Sequence, residues 1–280
     1  MKFRGKMTEL LCMKQFSNII ATIAKLAKLC VVRITKDMLY FIIVDGNVTV
    51  GKPMVWSVLE QTHFFNEYNM AGVSEEQNEI FLEFEPDVMA KSLNSLRVSN
   101  GAKSVKIKLT NKKSPCLTFE IQLSELLHSR VCVHDIPVTV LPRREWSTLQ
   151  EPRIPDFNVS IQLPSLKLLR TVAERMKTLS PYIILLANHD GTLILKIETA
   201  EATVSTHFKD LPVENAGGAG DSSDEFFSAR VDVKKFVQFL TCEQVNPNKV
   251  VCNILDDQMV AMFLVHEDVT LHYFLPVIAS

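Results

Sequence analysis

"EIFLEFEPDVMAKSLNSL", residues 79–96, and "EFFSARVDVKKFVQFL", residues 225–240, decide how this chain is read. Each is an apolar strand-like run, then Asp-Val, then a short stretch with helical spacing. Pro86 and Asp87 suit the first turn of the earlier helix, because proline has no N–H to lose there and a carboxylate complements the helix dipole. From Asp87 to the next strand, at Ser104, is 17 residues; from Asp232 to the strand at Lys249 is also 17. Two further strands follow in both places. One small fold has therefore been built twice in one chain, not stacked as a solenoid of short repeats.

Working outward, the first copy reads as a strand (Lys2–Met7), a long helix (Thr8–Lys28) and then "VVRIT", "MLYFIIV", "MVWSVLE" and "EIFLEFE", all rich in β-branched and aromatic residues. Asp45-Gly46 is read as a turn. After the helix Pro86–Arg97 come "SVKIKLT", "CLTFEIQL" and "RVCVHDI". The second copy reads "NVSIQL", a helix Pro164–Lys177, "YIILLAN", "TLILKIET", "ATVSTHFK", the quoted strand and helix (Asp232–Glu243), and three closing strands. Between the copies, "PVTVLPRREWSTLQEPRIP" is punctuated by Pro137, Pro142, Pro152 and Pro155 and reads as an extended linker. The expected domains are 1–136 and 158–280, joined by 137–157. The small polar stretch 212–224 reads as a mobile loop in the second.

Composition excludes several classes. With 280 residues there is room for two cores. A net charge of −2 gives no bulk argument for nucleic acid or membrane. No apolar run approaches the ~20 residues that span a bilayer, and "MKFRGKM" alternates like a strand rather than opening a signal peptide. The six cysteines are widely spaced without a C-x-x-C pair, as buried thiols of a reducing compartment would be.

Motifs that resemble chemistry fall short of it. "GNVTVGKP", residues 46–53, nearly spells a phosphate-binding loop, but Pro53 stands where a hydroxyl must hold magnesium, and a strand follows where a helix is needed. His134-Asp135, His189-Asp190 and the "HED" at His266 sit at strand ends and turns with no second ligand at helical spacing. They are read as polar turn residues, leaving a metal-dependent phosphohydrolase as the weakest alternative. No catalytic residue, metal site or cofactor is expected.

Charge is partitioned instead. The four expected helices hold 11 Lys and Arg against 5 Asp and Glu, leaving 19 against 27 for the remainder. On the first helix Lys14, Lys25 and Lys28 cluster with Asn18, Ala21 and Thr22, opposite an apolar side. On the third, Lys167, Arg170, Arg175 and Lys177 lie opposite Leu169, Ala173 and Met176. Lys91, Lys234 and Lys235 complete the set. Basic side chains without base-reading clusters or stacking aromatics suit phosphate contact without sequence choice.

This order of elements resembles the sliding-clamp (PCNA-like) superfamily, and more narrowly the Hus-type subunits of the nine-one-one checkpoint clamp. The stretches that carry the resemblance are "MKFR", "FFNEYNMAGVSEEQNEIFLE", "VHDIPVTVLPR", "LKIETAEATVSTHFKDL", "QVNPNKVVCNI" and "HEDVTLHYFLP". The resemblance implies an α+β duplicated clamp fold, with antiparallel sheets outside and two helices on the inner face of each domain. It implies a non-enzymatic subunit of a heterotrimer with Rad-nine-like and Rad-one-like partners, placed around double-stranded DNA by a checkpoint clamp loader and serving repair enzymes as clients in the nucleus, with a cytoplasmic pool before assembly. The basic residues above would face DNA. Subunits would join edge to edge through Val131, Cys132 and Val133 and through Val204 and Thr206, with the linker as the interdomain connecting loop. A homotrimeric processivity clamp is the alternative.

Overall fold

The computed structural model describes residues 1–44, 53–98, 102–123, 130–214, 225–266 and 269–278. The chain forms two compact units, Met1–Glu151 and Pro152–Ser280. Its dividing point lies within the segment expected to link domains.

Unit one runs β1 (Lys2–Met7), α1 (Leu10–Leu26), β2 (Cys30–Ile34), β3 (Met38–Val44), β4 (Pro53–Glu60), α2 (Gln61–Phe64), β5 (Glu67–Ala71), β6 (Ile80–Phe84), α3 (Pro86–Val98), β7 (Ala102–Asn111), β8 (Pro115–Leu123), β9 (Arg130–Pro137), β10 (Thr139–Val140) and α4 (Arg143–Trp146). Its strands pair antiparallel in the orders β5-β1-β7-β8-β9 and β10-β6-β2-β3-β4. Alternation decides the faces: in β1, Phe3, Gly5 and Met7 point inward and Lys2 and Arg4 outward. Gly5 leaves room for an aromatic ring, since a Cβ there would lie 2.7 Å from Phe65. In α1, Cys12, Phe16, Ile19, Ile20 and Ile23 recur at helical spacing and are buried. Phe16 is the hub, its ring 6.4 Å from Phe41 and 6.3 Å from both Phe64 and Phe65. A void of about 20 Å³ lined by Phe3, Phe16, Val32, Phe41, Met89 and Phe119 marks where both sheets and both long helices meet.

Unit two runs β11 (Val159–Gln162), α5 (Leu166–Met176), β12 (Tyr182–Ala187), β13 (Leu193–Glu198), β14 (Thr203–Phe208), β15 (Phe227–Asp232), α6 (Val233–Leu240), a 3₁₀ turn (Thr241–Val245), β16 (Lys249–Leu255), β17 (Met259–His266) and β18 (Val269–Pro276). Its strand orders are β14-β13-β12-β15 and β18-β17-β16-β11. The duplication is thus complete at the level of pairing: β1-β7-β8-β9 is answered by β11-β16-β17-β18, and β6-β2-β3-β4 by β15-β12-β13-β14. The quoted echo is β6–α3 and β15–α6. Asp232 caps α6 by accepting from the backbone N–H of Lys234 at 2.7 Å and Lys235 at 3.1 Å. Tyr273 of β18 donates its hydroxyl to the Lys235 carbonyl at 3.2 Å, tying sheet to helix.

Four expectations change. The first helix spans Leu10–Leu26, so Lys28 lies beyond it. Ala21 and Thr22 are buried rather than part of a basic face: α1 packs on α3 there, with the Ser17 hydroxyl donating to the Leu93 carbonyl at 3.2 Å. The segment after β9 is not bare linker. Leu141 and Leu149 are buried with Val31, Ile42, Trp56 and Phe81, and Trp146 stacks on Phe81 at 4.6 Å. Lastly, the start of the small polar stretch is paired, Gln162 donating to Pro212 and Glu214 to Ser160, each at 2.8 Å. Asp45-Gly46, the phosphate-loop-like residues 46–52 and residues 215–224 lie outside the described residues. No helix among the described residues is long and apolar enough to cross a membrane.

Candidate functional site

The helices supply the basic residues, but not as one uniform face. Lys25, Lys28, Lys167, Arg175 and Lys234 are exposed; Lys14 and Lys235 are half-buried. Three others are held by carboxylates. Lys91 pairs with Asp87 one turn away at 2.6 Å, and that hydrogen bond holds its ammonium above the usual lysine range. Lys177 pairs with Glu174 at 2.9 Å. Arg170 donates Nη1 to Glu243 Oε1 at 3.1 Å, joining α5 to the 3₁₀ turn after α6. Three of the ten therefore offer less positive potential than their number suggests. Leu11 and Leu168, 65% and 50% exposed, interrupt the polar surfaces of α1 and α5.

The second set of residues lies on sheet edges. β9 ends the order β5-β1-β7-β8-β9, and β14 ends β14-β13-β12-β15. Such strands present unpaired backbone N–H and C=O groups along one side. The other edge of the β14 sheet is covered, because Asp257 and Ile278 donate backbone N–H to the Ser228 and Arg230 carbonyls of β15 at 2.9 Å. On β9, Val131 and Val133 are 58% and 56% exposed. They lie opposite Gln122 and Glu120 on the outer face, whereas Cys132 and His134 lie opposite buried Ile121 and Phe119 on the core face. On β14 the pattern is reversed. Val204 and Thr206 lie opposite buried Ile197 and Leu195, while Thr203, Ser205 and His207 form a polar outer face. Beside β14 on its core side is a hollow of about 400 Å³, lined by Leu179, Ile197, Ala200, Ala202 and Val204 with Glu201. The strand pattern marks the edge, but Leu179 comes from the turn after α5, so sequence spacing does not announce the hollow.

The His-Asp pairs do other work. Asp135 accepts from Lys112 Nζ at 2.7 Å and Thr118 Oγ1 at 2.6 Å, and those bonds, the lysine's foremost, hold its carboxyl below the usual range. His189-Asp190 lies in the β12–β13 turn, closed by Asn188 N–H on the Thr192 carbonyl at 3.2 Å. Among the described residues, no three metal-ligating side chains come together.

A sequence model of the family described as Hus1-like protein matches residues 1–279. The chain belongs to the Hus1-like family. It is 45% identical to the human checkpoint protein HUS1 over the full length of both chains. It is 31% identical to the Drosophila melanogaster Checkpoint protein Hus1-like over 99% of each. With the Schizosaccharomyces pombe checkpoint protein hus1 it shares 30% identity, over 90% of this chain and 88% of that one. Among solved structures it is similar to proliferating cellular nuclear antigen from Entamoeba histolytica, with a TM-score of 0.72, 12% identity and 99% of each chain covered. PCNA from Thermococcus kodakaraensis gives 0.68 at 15% identity, over 98% of this chain and 99% of that one. The fold of this Hus1-like chain is the duplicated PCNA-like clamp fold. As a member of the Hus1-like family, this chain is a checkpoint clamp protein and not an enzyme.

Proposed function

We propose that this Hus1-like chain is one of three different subunits of a ring that a clamp loader places around double-stranded DNA at sites of damage, where it serves as a platform for checkpoint signalling and repair. The reading rests above all on β9 of unit one and β14 of unit two: both end their sheets among the described residues and have exposed aliphatic side chains on or beside them, an arrangement that calls for a neighbouring strand at each. Rad-nine-like and Rad-one-like clamp subunits are the neighbours. The exposed cations on the helices, Lys25, Lys167, Arg175 and Lys234, and Lys28 just past the first of them, face the duplex and touch phosphate weakly at many angles, so that enclosure rather than affinity retains the ring. The segment after β9 receives repair clients, and the site of action is the nucleus.

Light scattering on the purified chain, alone and co-expressed with the two other clamp subunits, tests this. The chain alone runs as a monomer of 31.7 kDa, and the mixture as a complex of one copy of each. A stable homotrimer of the chain alone would replace this reading with a self-sufficient processivity clamp.

A further inference from the structure

We infer that the edge strands β9 and β14 carry opposite polarity on their two faces, so that each selects a different partner and the β9 of one copy of this chain does not pair with the β14 of another. The inference rests on the ring reading above. When a strand joins a sheet edge, directly opposed residues fall on the same face, so outer meets outer and core side meets core side. β9 is aliphatic over the first part of its outer face, through Val131 and Val133 ahead of Asp135, and small or polar on its core side, through Cys132 and His134. β14 is polar on its outer face, through Ser205 and His207, and carries Val204 and Thr206 on its core side, where the 400 Å³ hollow, mainly aliphatic through Leu179, Ile197 and Val204 with Thr199 and Glu201 at its margin, stands beside the edge.

If a second copy brought its β9 to this β14, Val131 and Val133 would be buried against Ser205 and His207. The hollow would meet Cys132 and His134, which cannot fill it. That pairing leaves an apolar void on one face and desolvates polar groups on the other, and both effects oppose it. The occupant of the β14 edge is therefore an edge strand of a different clamp subunit, bulky and apolar on its core side and polar outside. The occupant of the β9 edge has the reverse requirement: an apolar outer face. Well-packed aliphatic anchors of this kind dominate interface energies, whereas main-chain pairing alone is indifferent to sequence.

Two sets of variants test the assignment, using the full chain with co-expressed Rad-nine-like and Rad-one-like subunits. Leu179→Glu/Val204→Glu charges the hollow at two exposed positions, so the chain stays folded, as circular dichroism checks. It loses one partner by about tenfold or more in affinity and retains the other. Val131→Lys/Val133→Lys does the converse. A second variant, Cys132→Leu/His134→Leu/Ser205→Val/His207→Val, makes the two edges match and turns the monomer into a self-associating species by light scattering. Unchanged capture of both partners by the hollow variant overturns the inference while leaving the ring reading intact. So does a matched-edge variant that folds and stays monomeric. If the wild type captures neither subunit, the ring reading fails, and the matched-edge variant still decides the inference.

Discussion

Arg170 shows how a single contact changes what a surface charge is for. Its guanidinium is held by Glu243, whose other oxygen, Oε2, is buried with no hydrogen-bond partner among the described residues. Replacing Arg170 by Glu sets two carboxylates together where one was already short of partners. Urea unfolding should show a loss of about 1–2 kcal/mol, with Arg175→Glu within about 0.5 kcal/mol of wild type because Arg175 is exposed. Nothing in the sequence foretold the pair, since its members are 73 residues apart and the helical pattern placed Arg170 with Lys167 and Arg175 on a basic face expected to meet DNA. Cysteine chemistry separates just as cleanly. Burial pushes the Cys252 thiol up to about 12 and raises Cys30 further still, so neither forms thiolate at neutral pH. Cys132, half-exposed on β9, is the accessible thiol. N-ethylmaleimide should label Cys132 first in the isolated chain, and peptide mass mapping should find that label blocked once a subunit covers β9. Equal labelling in free and assembled chain would place the partner elsewhere.

At the scale of elements, the strands were legible where apolar and polar residues alternate or run together, as in β1, β3 and β16, and the helices where apolar residues recur every three or four positions. β5 was not. "EYNMA" has neither signal and is held by what it pairs with: Lys6 of β1 reaches Glu67 at 3.1 Å, a contact that depresses the Glu67 carboxyl. The prolines after β9 hid β10 and α4, although Leu141, Trp146 and Leu149 were apolar residues without a home in a solvated linker. Both edges at β9 and β14 were placed by resemblance, while their opposite face polarities needed the register. Two predictions belong here. Asp232 bonds two backbone N–H groups at the start of the eight-residue α6, so Asp232→Ala should lower stability by about 1 kcal/mol in thermal or urea unfolding. Reversing Lys28, Lys167, Arg175 and Lys234 to Glu, all exposed, should leave folding and subunit assembly unchanged and reduce loading onto DNA, a defect that deepens at low salt. Wild-type loading by that variant would mean the helices do not face the duplex.

For the whole molecule, enclosure makes a sharper prediction than affinity does. A complex assembled with the other two clamp subunits and loaded on closed circular DNA should stay bound through a high-salt wash and leave once a restriction enzyme opens the circle. A contact-bound protein would be removed by the salt and indifferent to the cut. The unlike edges carry a further consequence. A ring closed by three chains that each accept only specified neighbours has no rotation axis, and its subunits follow one another in a fixed order around the hole. Every surface of this chain then occurs once per ring, where a homotrimer would display it three times. A client bound here gains no avidity from repeated copies, and two clients docked on different subunits hold a fixed angular relation to each other and to the direction of the DNA strand. Losing symmetry turns the clamp from a bearing into a dial.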